Sequence, residues 1–177
     1  EAELINSGIE YDRTGIKVNK NMMTSVPGIY AVGDVTGGMM LAHRAAEQGK
    51  VAAANICRQE ARPYNENFIP SVVYSHPQIA RVGLTAKQAA EEGLPIEVVK
   101  SPYSANIIAR TELAGQGFVK AVFAQDKIIG ATIAGDHASD LISNLALAVS
   151  NGLTKKQLQL WVIPHPTLSE IFRPLFD

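Results

Sequence analysis

Two places in this 177-residue chain combine residue types that can move protons or hold a ligand. One is Pro164-His165-Pro166-Thr167-Leu168-Ser169-Glu170. Proline fixes its own φ and restricts the residue before it, so the two prolines place His165 on a stiff loop. A neutral imidazole near pH 7 can take up a proton and return it, which suits a general acid–base. Glu170, further along the loop, can hydrogen-bond the other ring nitrogen, set the tautomer and stabilise the imidazolium. The same glutamate completes a capping box that opens at Thr167, ahead of the apolar pair Ile171-Phe172. Pattern alone leaves both roles for Glu170 open. It also leaves open that His165 is a structural loop residue.

The other place is Gly33-Asp34, after the apolar run Ile29-Tyr30-Ala31-Val32 and before Gly37-Gly38 and a long helical segment. A strand, a glycine turn and a helix start make a ligand site in parallel α/β sheets, at the carboxyl ends of the strands. Asp34 can accept hydrogen bonds from ligand hydroxyls, or it can cap the turn. The amides of Leu41, Ala42 and His43 at the helix start favour negative charge. That argument uses the backbone of His43 more than its ring.

These residues need a scaffold. The turn-rich opening gives short strands at Ile16 to Val18 and Ile29 to Val32, then a helix from about Leu41 to Ala61 whose small residues suit close packing. Arg62 to Asn67, with Pro63 inside, reads as a linker and a domain boundary. Beyond it, strands are expected at Ser71 to Tyr74, Ile79 to Leu84, Ile96 to Lys100, Phe118 to Ala124 and Ile128 to Ile133. The last two join in a hairpin at Gln125-Asp126-Lys127. Thr85-Ala86-Lys87-Gln88 starts a helix that stops near Gly93. Leu141 to Val149 is a further helix, and Thr154 to Gln157 opens a short one. Segregated strands and helices of this kind predict an α+β layer on an antiparallel sheet.

Composition removes several classes of function. Lys+Arg is 16 against Asp+Glu 17, so no basic face invites nucleic acid. No apolar run approaches the ~20 residues of a membrane-spanning helix. The lone Cys57 makes neither an internal disulfide nor a CxxC pair, and it reads as a small buried residue among alanines. His43, His76, His137 and His165 lack metal-ligand spacing. His76 reads as a loop histidine before proline, His137 as a histidine at the approach to a helix, and Arg110 as a solvated arginine or an interface partner. The opening EAELINSGIE is neither a signal peptide nor a Met start; it suggests a fragment or cleavage product of cytoplasmic origin.

The string TSVPGIYAVGDVTGGMMLAHRAAEQG, Thr24 to Gly49, resembles the second flavin-binding segment of the FAD-dependent pyridine nucleotide–disulfide oxidoreductases. Val162 to Phe172 resembles the HPTLSE signature at the C-terminal end of the same family. Phe68 to Leu84, Gly117 to Ala134 and Asp140-Leu141-Ile142 resemble its interface domain. Within the family both motifs look most like the dihydrolipoamide dehydrogenases. The second histidine that many members carry two residues before the catalytic one is replaced here by Ile163.

The resemblance implies an interface (dimerisation) domain over 67–177, with helices on an antiparallel sheet. It implies that residues 1–66 are the end of an NAD-binding domain and a partial α/β segment of a FAD-binding domain. Asp34 would hold the ribityl chain of FAD, and Met40, Leu41, Ala42 and His43 would line the flavin. His165 would be the acid–base catalyst, oriented by Glu170, and would reach the redox disulfide of the other subunit of a homodimer. The His165–Pro166 bond would be cis. The chain has no GxGxxG and no second cysteine. It is therefore expected to be the C-terminal part of an NAD-dependent enzyme that oxidises lipoyl groups on 2-oxoacid dehydrogenase complexes or the glycine cleavage system, and to be inactive alone. A stand-alone dimerisation module, or part of a glutathione-reductase-like enzyme, remains as an alternative.

Overall fold

Short apolar runs broken by glycines give the opening of the chain little regular structure. The computed structural model describes residues 6–60 and 63–177, and the chain divides into two units between Glu66 and Asn67. In the first unit, β1 (Tyr11–Asp12) and β2 (Gly15–Ile16) form a minimal antiparallel ribbon. Helix α1 (Ala42–Ile56) buries Arg44, Gln48, Val51 and Ala52, one stripe at helical spacing. Its apolar core is small: Met22, Val51 and Ala52, flanked by Val18, Tyr30 and Tyr64.

Three expectations fail in this unit. Ile29 to Val32 is not a strand; it makes a single antiparallel bridge, Met23 to Tyr30. A strand needs a partner along its length, and no neighbouring described segment supplies one. Helix α1 also stops at Ile56. Arg58 takes the left-handed conformation at φ 53°, and Gln59 N–H and Arg58 N–H close on the carbonyls of Ala54 and Asn55. This is a Schellman ending built without its usual glycine, so the sequence carries no stop signal. Ala61 and Arg62 lie outside the described residues. Cys57, finally, is exposed, because it follows the last helical turn and lies off the buried stripe.

The second unit is the expected α+β layer. Strands β3 (Ser71–Val73), β4 (Ile79–Gly83), β5 (Ile96–Pro102), β6 (Phe118–Ala124) and β7 (Lys127–Ala134) form one antiparallel sheet in the order β3-β4-β7-β6-β5. Between them lie the short helices α2 (Ala86–Glu91) and α3 (Ile107–Thr111). After the sheet come α4 (Ala138–Ser150) and α5 (Lys155–Gln159). Residues Gln125 and Asp126, both at positive φ, make the two-residue turn that pairs Ala124 with Lys127.

Alternation decides which side of the sheet is covered. Ala80, Val82, Val119, Ala121, Ala131 and Ile133 point to one face, in register across three strands. Helix α4 lays Leu141, Ile142, Leu145 and Val149 on that face. The last segment, a 3-10 helix over Leu168–Leu175, packs against β5 and β6 and buries Ile171, Phe172 and Leu175. Trp161 stacks on Phe172 with ring centroids 5.6 Å apart. Gly130 is fixed by backbone crowding, since a Cβ there would meet the Leu84 carbonyl at 1.9 Å. The sheet and α4 thus form the rigid base from which the His165 loop projects.

Candidate active site

The loop Pro164 to Thr167 bridges from Ile163, a buried core residue, to the 3-10 helix. Its His165–Pro166 bond is cis, the isomer that the family resemblance implies. The His76–Pro77 bond is also cis, which nothing in the sequence reading anticipated. Thr167 donates its hydroxyl to the Pro164 carbonyl at 2.7 Å and closes the loop on itself.

The two readings of Glu170 turn out to be compatible. One carboxylate oxygen, Oε2, accepts the Thr167 amide at 3.2 Å and so closes the capping box. The same carboxylate lies 3.0 and 3.1 Å from His165 Nδ1. A carboxylate only accepts, so Nδ1 carries the hydrogen and Nε2 keeps its lone pair for another proton. The imidazole side chain is 71% exposed and the Glu170 side chain 16%. The ring thus presents its basic edge to solvent while its other edge is held from inside. The Thr167 amide foremost, then the His165 ring and the Arg173 guanidinium, hold the Glu170 carboxyl below the usual carboxylate range against the opposing effect of burial.

Two residues that the sequence reading passed over support the loop. Arg173 donates from Nη2 to the Ile163 carbonyl at 2.8 Å and lies 3.7 Å from Glu170. Asn106, at the start of α3, donates to the carbonyls of Thr167 and Leu168 at 3.1 and 3.3 Å. A cavity of about 330 Å³ beside the pair is lined by Ser101, Asn106, Ile107, His165, Glu170 and Arg173 among others. The Asn106 bonds span 61 and 62 residues and leave no local signal.

The remaining predicted residues lie in the first unit. Asp34 is exposed in a 3-10 turn over Gly33–Thr36. Gly33 sits at φ 80°, and its N–H donates to the buried Gln48 side chain at 2.7 Å, which fixes the turn against α1. Met40 is 73% exposed. Leu41 is the N-cap of α1 and makes no side-chain capping bond, Ala42 and His43 are exposed, and the first turn holds no acidic residue. Arg44 below them is buried and gives its Nε to both Glu66 oxygens at 3.1 Å. Asp34, Met40, Leu41, Ala42 and His43 therefore share one unit, while His165 and Glu170 share the other. Among the described residues no group of His, Cys, Asp and Glu could hold a metal ion, and no helix is long and apolar enough to cross a membrane.

Residues 69–175 match the pyridine nucleotide-disulphide oxidoreductase dimerisation domain, and residues 2–49 match the pyridine nucleotide-disulphide oxidoreductase domain. The chain is 43% identical to dihydrolipoyl dehydrogenase of Bacillus subtilis over 97% of its own length and 37% of the relative's. It is 40% identical to the mitochondrial dihydrolipoyl dehydrogenase of Canis lupus familiaris, over 94% of its length and 33% of the relative's. Among solved structures it resembles LpdA from Mycobacterium tuberculosis, with a TM-score of 0.88 and 29% identity over 94% of this chain and 37% of that one. It also resembles the HOCl-induced flavoprotein disulfide reductase RclA from Escherichia coli, with a TM-score of 0.83 and 28% identity over 98% of this chain and 41% of that one. It thus spans little more than a third of the curated relatives' length. A family match over most of the second unit, joined to relatives at this identity, establishes that the chain belongs to the pyridine nucleotide–disulphide oxidoreductase family.

Proposed function

We propose that this chain is the C-terminal part of a homodimeric dihydrolipoyl dehydrogenase, and that His165 is its acid–base catalyst. The observation that carries the reading is the His165–Glu170 pair, with Nδ1 held by a carboxylate and Nε2 directed away from it. As a dihydrolipoyl thiol attacks a disulfide sulfur supplied by the other subunit, His165 Nε2 takes the thiol proton. A new S–S bond forms, the old one breaks, and the second sulfur leaves as thiolate. Glu170 stays ionised and balances the imidazolium. The second lipoyl thiol then displaces the remaining protein sulfur, closing the lipoyl disulfide and leaving both protein sulfurs reduced, and His165 gives up its proton to solvent. The lipoyl groups would come from 2-oxoacid dehydrogenase complexes or the glycine cleavage system, and the site of action would be cytoplasmic.

In the first unit the residues fit one end of a FAD site. The start of α1 lacks a capping side chain and first-turn acid, Met40 and the first helical residues are exposed, and Gln48 pins the Gly33 turn beside the exposed Asp34. Asp34 would accept hydrogen bonds from the ribityl hydroxyls, and Met40, Leu41, Ala42 and His43 would line the ring, with the helix start favouring negative charge. Bound there, FAD would pass the two electrons from the thiols on to NAD+. Residues 1–66 are accordingly read as the end of the NAD-binding domain and a returning piece of the FAD-binding domain, and 67–177 as the dimerisation domain. This chain has a single cysteine and no nucleotide fingerprint, so by itself it should turn over no dihydrolipoamide.

The likeness to RclA favours a second reading, in which the parent is another flavoprotein disulfide reductase. An assay of the full-length parent separates the two. NAD+ reduction by dihydrolipoamide supports the first reading. Disulfide reduction with a different substrate, and no dihydrolipoamide activity, supports the second.

A further inference from the structure

We propose that Asn106 is a positioning residue for the His165–Glu170 pair. It stands 61 residues before Thr167 in the chain, at the N-cap of α3, and is 5% exposed. Its carboxamide splits its work between two elements. The oxygen Oδ1 accepts the Ala109 amide at 3.0 Å and starts α3. The nitrogen Nδ2 donates to two successive carbonyls, Thr167 at 3.1 Å and Leu168 at 3.3 Å. Cap residues need only the acceptor half of such a side chain, so a serine, threonine or aspartate would serve α3 as well. The donor half is what asparagine adds, and here it is spent wholly on the loop.

Asn106 grips the Thr167–Leu168 peptide, which adjoins the Pro166–Thr167 peptide that the pair uses. Thr167 presents its carbonyl to Asn106 and its amide to Glu170 Oε2 at 3.2 Å. That carboxylate in turn holds His165 Nδ1. Hydrogen bonds joined through the Thr167 backbone therefore lead from the buried Asn106 side chain, at the cap of α3, to the exposed imidazole. His165 is mostly solvent-exposed and has little packing to fix it, so its direction depends on the groups behind it. Asn106 makes α3 and the sheet edge part of the catalytic frame. The consequence for rate rests on the acid–base reading above, whereas the consequence for loop geometry does not.

The test uses variants that keep the cap and lose the donor. Asn106→Ser retains an acceptor for Ala109 but is too short to reach both carbonyls. Asn106→Asp keeps size and cap but presents no N–H. In the 177-residue chain, the Glu170 carboxyl is titrated by carbon-13 NMR and exchange of the Thr167 amide is followed. In both variants Glu170 should titrate higher, toward the ordinary carboxylate range, and the Thr167 amide should exchange at least about tenfold faster. Amides within Ile107–Thr111 should keep their protection. In the full-length parent, Asn106→Ser should lower kcat roughly 10- to 100-fold with KM unmoved, and should add nothing once Glu170→Gln is in place. An unchanged Glu170 titration in either folded variant overturns the proposal, as does loss of α3 protection in step with the loop. If His165→Ala leaves the parent's rate unchanged, the acid–base reading falls, while the titration result still decides the role of Asn106.

Discussion

Replacing Glu170 by glutamine separates its two duties. Glutamine is an accepted third residue of a capping box, so the Thr167 amide keeps a partner and the 3-10 helix keeps its start. The variant loses the second acceptor oxygen and the charge. In the wild type, one carboxylate serves both the Thr167 amide and His165 Nδ1. The remaining amide oxygen is an uncharged and weaker acceptor, and the NH2 group that replaces the other oxygen cannot accept from Nδ1–H. The tautomer and the imidazolium both lose support. Protonation by a positioned side chain is worth roughly 10²–10⁴ in rate, and a misdirected base forfeits much of that. We therefore expect kcat in the full-length parent to fall roughly 10²-fold, about 2.7 kcal/mol of barrier at 1.36 kcal/mol per decade. The melting temperature should move by less than about 3 °C near neutral pH. The Glu170 pKa is lowered in the fold, so its contribution to stability is complete above the unfolded carboxylate range and is lost as pH falls through the lowered value. Below about pH 5, any stability gap between wild type and Glu170→Gln should close on further acidification. Stopped-flow turnover and thermal melts across pH measure both. Unchanged turnover, or a gap that widens in acid, would refute the reasoning.

Leu145 is fully buried in the core beneath the sheet, so Leu145→Ala should cost about 2–5 kcal/mol by denaturant unfolding; a loss below about 1 kcal/mol would mean the core is looser than described. Tyr103 is completely buried and donates its hydroxyl to the Asp136 carbonyl at 2.8 Å, so Tyr103→Phe should cost about 1–2 kcal/mol at pH 7. Burial raises the Tyr103 phenol, so its contribution is full below about pH 10, where an unfolded tyrosine begins to ionise, and is lost as pH rises toward the raised value. Urea melts from pH 8 to 11 should show an alkaline decline that is shallower in the phenylalanine variant. Hydrogen exchange should find firm protection in the sheet and α4 but faster exchange in the first unit, whose buried apolar cluster, among the described residues, has Met22, Val51 and Ala52 at its centre. Equal protection in the two units would contradict that.

Much of the second unit was legible because its signals are local. Ala80 and Val82 alternate with Arg81 as a half-buried strand should, and Thr85-Gln88 and Thr154-Gln157 form the capping boxes their spacing announces. The turn at Gln125-Asp126 was placed although neither residue is glycine. What escaped depends on groups distant in sequence or on unusual backbone. Helix α1 ends at an arginine in a glycine-like conformation, and Cys57 is exposed because of that early ending. Ile29 to Val32 has strand composition, but pairing belongs to two segments and composition describes one. The short α3 is five residues long, too few for periodicity to register. At the candidate site, His165 and Glu170 were visible from their spacing and their resemblance to the family. Asn106 was not, because a contact across 61 residues has no sequence pattern. Arg173 was not either, although its partners Ile163 and Glu170 lie close in the chain, because an arginine bond to a backbone carbonyl carries no residue signature.

The central claim is that the His165 imidazole handles the thiol proton. The direct measurement is the reductive half-reaction of the full-length parent, followed by rapid mixing with dihydrolipoamide, for wild type and His165→Ala. Because the ring is largely exposed, the substitution should leave the melting temperature nearly unchanged while the half-reaction slows roughly 10²–10⁴-fold. A half-reaction as fast as wild type in a folded His165→Ala protein would contradict the account.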